Sequence, residues 1–250
     1  MLIYHLIESA QGDLVLALVN VFSFLLAVCT ALVLHEVSHG IAALINGDNT
    51  AKLLGRLSLN PIKHFNLIGF MMMILVGFGY ANPVPVNPNN FKNERKGNIQ
   101  VSIAGVLTNL LLSFILILLF SIFILVTNKV SINNSFLAYI YQFMFMYFTW
   151  ATVLNINFAL FNILPLYPLD GYRLLNTFVP DNNKFMIFLR KYSFYVLIFF
   201  VLWGNAGKIA DYSPLSLYLN YSLKGITWLF SKFWSLFGLP DLSGLFAAIT

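Results

Sequence analysis

Charge is what this sequence has least of. Only 9% of its 250 residues are Asp, Glu, Lys or Arg, against about 25% in an ordinary soluble domain. Fourteen Lys and Arg with nine Asp and Glu cannot cover the water-facing surface of a 28.3 kDa chain. With 59% of residues hydrophobic and a mean hydropathy of +0.80, a soluble enzyme is excluded. Disorder is excluded as well, because a net charge of +5 is small beside that apolar content. The single cysteine, Cys29, has no partner for an internal disulfide and sits in an apolar run, where a small packing residue is expected. Residues 1–13 hold His5, Glu8 and Asp13 but neither Lys nor Arg. A cleavable signal peptide wants a basic start, so the first apolar run is expected to be retained. Internal repeats, low-complexity tracts and the glycine fingerprints of nucleotide-binding loops are missing too. No nucleic-acid partner is expected.

What the sequence has instead is long apolar runs. Leu14 to Leu34 is almost uninterrupted, and helical composition continues to Ile45. At ~1.5 Å per residue that helix is ~48 Å long, enough to cross a ~30 Å bilayer core. Asn46-Gly47-Asp48 reads as its stop. Ile99–Val126, Phe136–Leu164 and Phe185–Trp203 are further spans. Leu67–Ala81 is apolar but short for a crossing, which suits a re-entrant segment. Pro83, Pro85 and Pro88 exclude helix from 82–88, and Val84–Val86 reads equally as an edge strand or a rigid turn. From Ser216 the polar residues Asn220, Lys224, Thr227, Ser231 and Ser235 recur at helical spacing. They predict an amphipathic helix over about 214–238 lying in the membrane interface; a span hiding its stripe against the bundle is the competing arrangement. The expected fold is an all-α polytopic membrane protein with about four to six membrane helices. It forms one domain over 1–250, with a catalytic core at about 14–175, a C-terminal span at 185–203 and the amphipathic helix.

Five residues carry the chemistry. His35-Glu36-Val37-Ser38-His39 is an H-E-x-x-H motif near the end of the first long helix. Histidines at i and i+4 share one face, so both rings reach one ion. Glu36 lies ~100° round the helix, beside that face, where it can act on water without being a ligand. Ionisable groups in a membrane helix cost at least ~2.5 kcal/mol each, so three in five residues call for a compensating function. A catalytic zinc takes a third protein ligand and keeps one position open. Cys29, Asp48, His64 and Asp170 qualify by type. Asp170 is the best placed, because Pro165 and Pro168 break the preceding helix and Gly171 lets the backbone turn. Asn155, Asn157 and Asn162 upstream are expected to serve mainly as helix-packing contacts.

With Leu169-Asp170-Gly171, the H-E-x-x-H motif resembles that of the site-2 proteases, the intramembrane zinc metalloproteases, in their compact bacterial branch without PDZ or CBS domains. The likeness runs through His39-Gly40, Gly47-Asp48, Gly55-Arg56, Asn60-Pro61, Lys63-His64, Pro83 to Pro88, and Ala104-Gly105 with Asn109. It covers roughly residues 30–175. It departs at Val106, where a proline commonly follows the glycine. The resemblance implies one zinc ion per chain on His35, His39 and Asp170, with Glu36 as general base and Asn109 as a polar contact to substrate or oxyanion. It also implies a bacterial inner-membrane protease whose substrates are the transmembrane segments of other proteins in the lipid bilayer.

Topology supplies an independent check. If 67–81 does not cross, His39 and Asp170 fall on the same side of the membrane. Segments 46–98 and 165–191 then hold ten of the fourteen basic residues, which makes that side cytoplasmic. The expected activity is therefore intramembrane peptide hydrolysis. Two other classes share these residues: a transporter or ion pathway relaying through His, Glu and Asp, and a pseudoprotease that binds helices without cutting them.

Overall fold

The computed structural model describes residues 12–76, 79, 81–130, 134–204 and 212–249, and among them the chain is helical with no strand. The helices are α1 (Leu14–Ile45), α2 (Thr50–Leu53), α3 (Leu67–Val76), α4 (Glu94–Thr127), α5 (Ser135–Asn162), α6 (Asp170–Asn176), α7 (Lys184–Gly204), α8 (Pro214–Ser235) and α9 (Ser243–Ile249). Four of these, α1, α4, α5 and α7, are long and apolar enough to cross a membrane, as a multi-pass membrane protein requires.

Each of these four helices starts where a short polar side chain closes a turn. Asp13 Oδ1 accepts the Leu16 N–H at 3.1 Å before α1. Asn93, Asn134 and Asn183 accept from Lys96, Phe136 and Phe185 at 2.9, 2.7 and 2.9 Å before α4, α5 and α7. Such side chains satisfy helix N–H groups that have no carbonyl of their own. α1 ends as expected, with Gly47 at φ 106° and the Asn46 amide on the Ala42 carbonyl at 2.8 Å. Within 67–81 the described helix is α3, ten residues with about 15 Å of rise, short of a bilayer core. Residues 77, 78 and 80 lie outside the described residues.

The chain forms two compact units, each assembled from separated segments. The first joins residues up to Ala31 with Leu110–Asn157 and those from Asn220 on. Its centre is aromatic: fully buried Phe120 stacks on Phe148 at 5.5 Å and meets Phe145 edge-on at 5.3 Å. Here α8 carries the polar stripe read from the sequence. Its Leu223, Thr227 and Ser231 are buried, while Tyr221, Trp228 and Leu229 face outward. Trp234 Nε1 donates to the Phe114 carbonyl at 3.0 Å, and the Phe114 ring packs against Phe230 and Trp234. Within the stripe Lys224 is exposed, while Thr227 and Ser231 are turned inward, where small hydroxyl residues let helices approach closely and bond their own backbone. Thr227 Oγ1 does so, donating to the Leu223 carbonyl at 2.8 Å. Sequence periodicity finds the stripe but not how much of it is covered.

The second unit comprises Leu32–Asn109 and Phe158–Leu219. Ala43, Phe91 and Val101 form one apolar cluster in it, and Tyr172, Met186 and Leu189 form another. These clusters set the end of α1, the start of α4 and the short α6 around the polar site.

Candidate metal centre

α1 presents His35 and His39 one turn apart on a single face, and α6 opens on Asp170. All three side chains are buried, at 6%, 4% and 6% exposure. The two Nε2 atoms lie 3.1 Å apart, and Asp170 Oδ2 is 3.2 Å from that of His35 and 3.1 Å from that of His39. Among the described residues this is the group of His, Cys, Asp and Glu atoms able to share one ion.

The far side of each ring fixes what it offers. His39 Nδ1 sits 2.7 Å from the Val101 carbonyl oxygen, which can only accept, so Nδ1 carries the proton. His35 Nδ1 faces Asn109 Oδ1 at 2.6 Å and donates likewise. With both rings neutral, each Nε2 turns a lone pair toward the same point as Asp170 Oδ2, a buried oxygen with no donor of its own. Three acceptors at van der Waals distance with no proton between them repel unless a cation joins them. A tetrahedral centre with ligand bonds of about 2.0 Å has edges of about 3.3 Å. The three measured edges of 3.1–3.2 Å are close to that, so the donor set fits zinc.

Two glycines let these groups converge. A Cβ on Gly105 in α4 would lie 2.6 Å from His35 Nδ1 and 2.7 Å from His39 Nε2, so only hydrogen fits against the rings. Gly171 has no positive φ, so it does not supply the special turn expected of it. Instead, a Cβ there would run into the Ile163 and Leu164 carbonyls, and its absence lets α6 dock under the end of α5.

Glu36 is half-buried beside the ring face, and its Oε2 accepts the Val84 backbone N–H at 2.8 Å. The segment around Val84 is irregular rather than a strand. Of the other ligand candidates Cys29 is a free thiol outside the group, and His64 and Asp48 are engaged elsewhere. His64 Nε2 bonds the Ser58 carbonyl at 2.8 Å. Asp48 accepts from the Asn87 N–H at 2.7 Å, the Asn90 amide at 2.8 Å and both polar groups of Thr50. Burial pushes the Asp48 carboxyl up, but these donors outweigh it and hold it below its ordinary 3.8. Asn155 and Asn162 donate to carbonyls one turn back, Ala151 at 2.7 Å and Phe158 at 3.0 Å. The orienting Val101 carbonyl and the Val84 N–H are backbone groups, and side-chain chemistry gives no sign of them.

The family model described as peptidase family M50 matches residues 23–203 of this chain. YwhC of Bacillus subtilis (strain 168), provisionally named a zinc metalloprotease, is 39% identical over 186 residues, covering 70% of this chain and 82% of its own. Rip2 of Mycolicibacterium smegmatis, named in the same provisional way, is 23% identical over 219 residues, or 82% of this chain and 78% of its own. No solved structure matches the chain.

Proposed function

The chain belongs to peptidase family M50, the site-2 protease family, and from that premise we propose that it hydrolyses peptide bonds within transmembrane segments of other membrane proteins. One observation carries the reading: three buried acceptor atoms converge at 3.1–3.2 Å with the H-E-x-x-H carboxylate beside them. His35, His39 and Asp170 would hold zinc, which supplies Lewis-acid activation of water and of the scissile carbonyl. Glu36 takes the proton from the attacking water and passes it to the leaving amine. Asn109 and the Val101 carbonyl hold the two rings in the tautomer that leaves Nε2 free. The oxyanion contact expected of Asn109 is a separate proposal and falls to its amide group. A substrate helix must open locally to present its carbonyl, and Val84–Val86, beside Glu36, offers backbone to an unwound chain.

Orientation follows from charge. The segments flanking the site carry Lys52, Arg56, Lys63, Lys92, Arg95, Lys96, Arg173, Lys184, Arg190 and Lys191. Their excess favours a site opening toward the cytoplasm.

The test uses full-length protein in detergent, loaded with zinc and incubated with a pool of synthetic single-span transmembrane peptides, with products read by mass spectrometry. Wild type is expected to cut members of the pool. Glu36→Gln should keep its zinc and lose about 10²- to 10⁴-fold in rate. Equal cleavage by the variant sinks the mechanism. No cleavage by zinc-loaded wild type, with ion flux in liposomes, turns the reading to an ion pathway.

A further inference from the structure

Glu36 is oriented from outside its own helix. The last torsion of a glutamate is broad and roughly two-fold, so the helix alone does not set the carboxylate plane. The Val84 N–H on Oε2 at 2.8 Å does. Val84 is buried against α1, where a Cβ on Gly40 would come within 3.0 Å of its Cγ1.

Val84 in turn belongs to a strap, residues 82–90, that lacks a ladder of its own. Its backbone bonds end on two anchors. At the leading end Arg56 Nη2 donates to the Asn82 and Pro83 carbonyls at 2.8 and 3.3 Å, and the Asn82 N–H donates to the His64 carbonyl at 2.9 Å. At the far end the fully buried Asp48 takes the Asn87 N–H and the Asn90 amide, and Thr50 braces the same carboxylate. Between the anchors Pro83, Pro85 and Pro88 fix φ and remove donors. A chain so stiff, pinned at both ends, presents one amide at one place.

We propose that Asp48 and Arg56 are positioning residues for the catalytic carboxylate, acting through the strap to hold the Val84 N–H on Glu36. This rests on the protease reading above. One carboxylate oxygen is fixed by that N–H, and Oε1 is left to receive the proton.

The experiment compares Arg56→Ala, Arg56→Lys and Asp48→Asn with wild type as full-length zinc-loaded protein in detergent. The substrate is the fastest-cut peptide of the transmembrane pool. Zinc per chain is expected to stay at the wild-type value while kcat falls roughly 10- to 100-fold and KM stays within about threefold. Arg56→Lys should recover part of the loss. In a Glu36→Asp background, whose shortened carboxylate no longer reaches Val84, Arg56→Ala should cost no more than about threefold further. Hydrogen exchange at the Val84 amide should speed up in Arg56→Ala and Asp48→Asn. Unchanged kcat in both variants overturns the proposal. So does an undiminished loss in the Glu36→Asp background, or zinc lost in step with rate in every variant. If wild type cuts nothing, the protease reading itself fails. Val84 exchange then decides the clamp alone, and unaltered protection in both variants overturns it.

Discussion

Replacing Gly105 by alanine puts one methyl group where the structure has least room for it. The new carbon would stand 2.6 Å from His35 Nδ1 and 2.7 Å from His39 Nε2, where ordinary contact begins at 3.4 Å. The His39 ring would have to retreat by about 0.7 Å and the His35 ring, whose Cε1 lies closer still than its Nδ1, by more than about 0.8 Å, or α4 would have to move away by as much. Metal–ligand distances tolerate only about 0.2 Å, so both histidines leave their bonding range together. Disturbing a residue behind a ligand typically costs 10- to 100-fold in metal affinity. Displacing two ligands at once is expected to exceed the upper end, so zinc affinity should fall by more than about 100-fold. Helix formation itself gains from the change, since alanine is better than glycine by about 1 kcal/mol in a helix interior. The loss therefore belongs to the site rather than to the fold. Chelator-competition titration of purified protein measures it. Gly225→Ala in α8, whose added methyl meets nothing within 4 Å, serves as the control that should bind zinc normally. Wild-type affinity in Gly105→Ala would refute the reasoning, because the rings would then not be seated against that glycine.

Asn109→Ala removes the acceptor on His35 Nδ1 and should weaken zinc binding about 10- to 100-fold, with Asn109→Asp recovering much of it. Wild-type affinity in the alanine variant would make Asn109 a substrate contact only. The depressed Asp48 carboxyl gives a stability contribution that is complete above its unfolded value near 3.8 and is lost as pH falls through its lower folded value. Melting curves in detergent should therefore show wild type ahead of Asp48→Asn at pH 6, with the gap closing below pH ~4; a gap independent of pH would contradict the assignment. The exposed Lys232–Asp241 pair, 2.6 Å apart, should be worth about 0.2–1 kcal/mol and fade in ~1 M salt. A larger effect of Asp241→Asn in high salt would point to its N–H bond with Ser243 instead.

Much of the architecture was readable because membrane spans are written in composition. The runs expected at 14–45, 136–164 and 185–203 differ from α1, α5 and α7 by at most two residues at either end. The run starting at Ile99 began late, because α4 opens with the charged turn from Glu94 that apolar content cannot mark. Charge in a first helical turn signals capping, and the Asn93 cap was there to be read. His35 and His39 were legible as types at a spacing and Asp170 as the best placed of four candidates, and the fold brings the three within 3.2 Å. The groups that orient them were less so. The Val101 carbonyl and the Val84 N–H are common to any residue, and Asn109 carries no sign that its oxygen serves a histidine. The division of the α8 stripe, with Thr227 and Ser231 buried and Lys224 exposed, was not legible for a related reason: periodicity defines a face, and only the neighbouring helices decide how much of it is covered.

The buried part of that stripe bears on what holds α8 in place. A helix carrying Asn220, Lys224, Thr227 and Ser231 has a costly polar side, and burying Thr227 and Ser231 against neighbouring helices covers part of it. Phe114 of α4 offers the surface that Phe230 and Trp234 cover, and it stands ready only once α4 is in place. α8 is thus held on α4 through these rings, and its outward Tyr221 and Trp228 give that face an aromatic rim that α4 alone would not have.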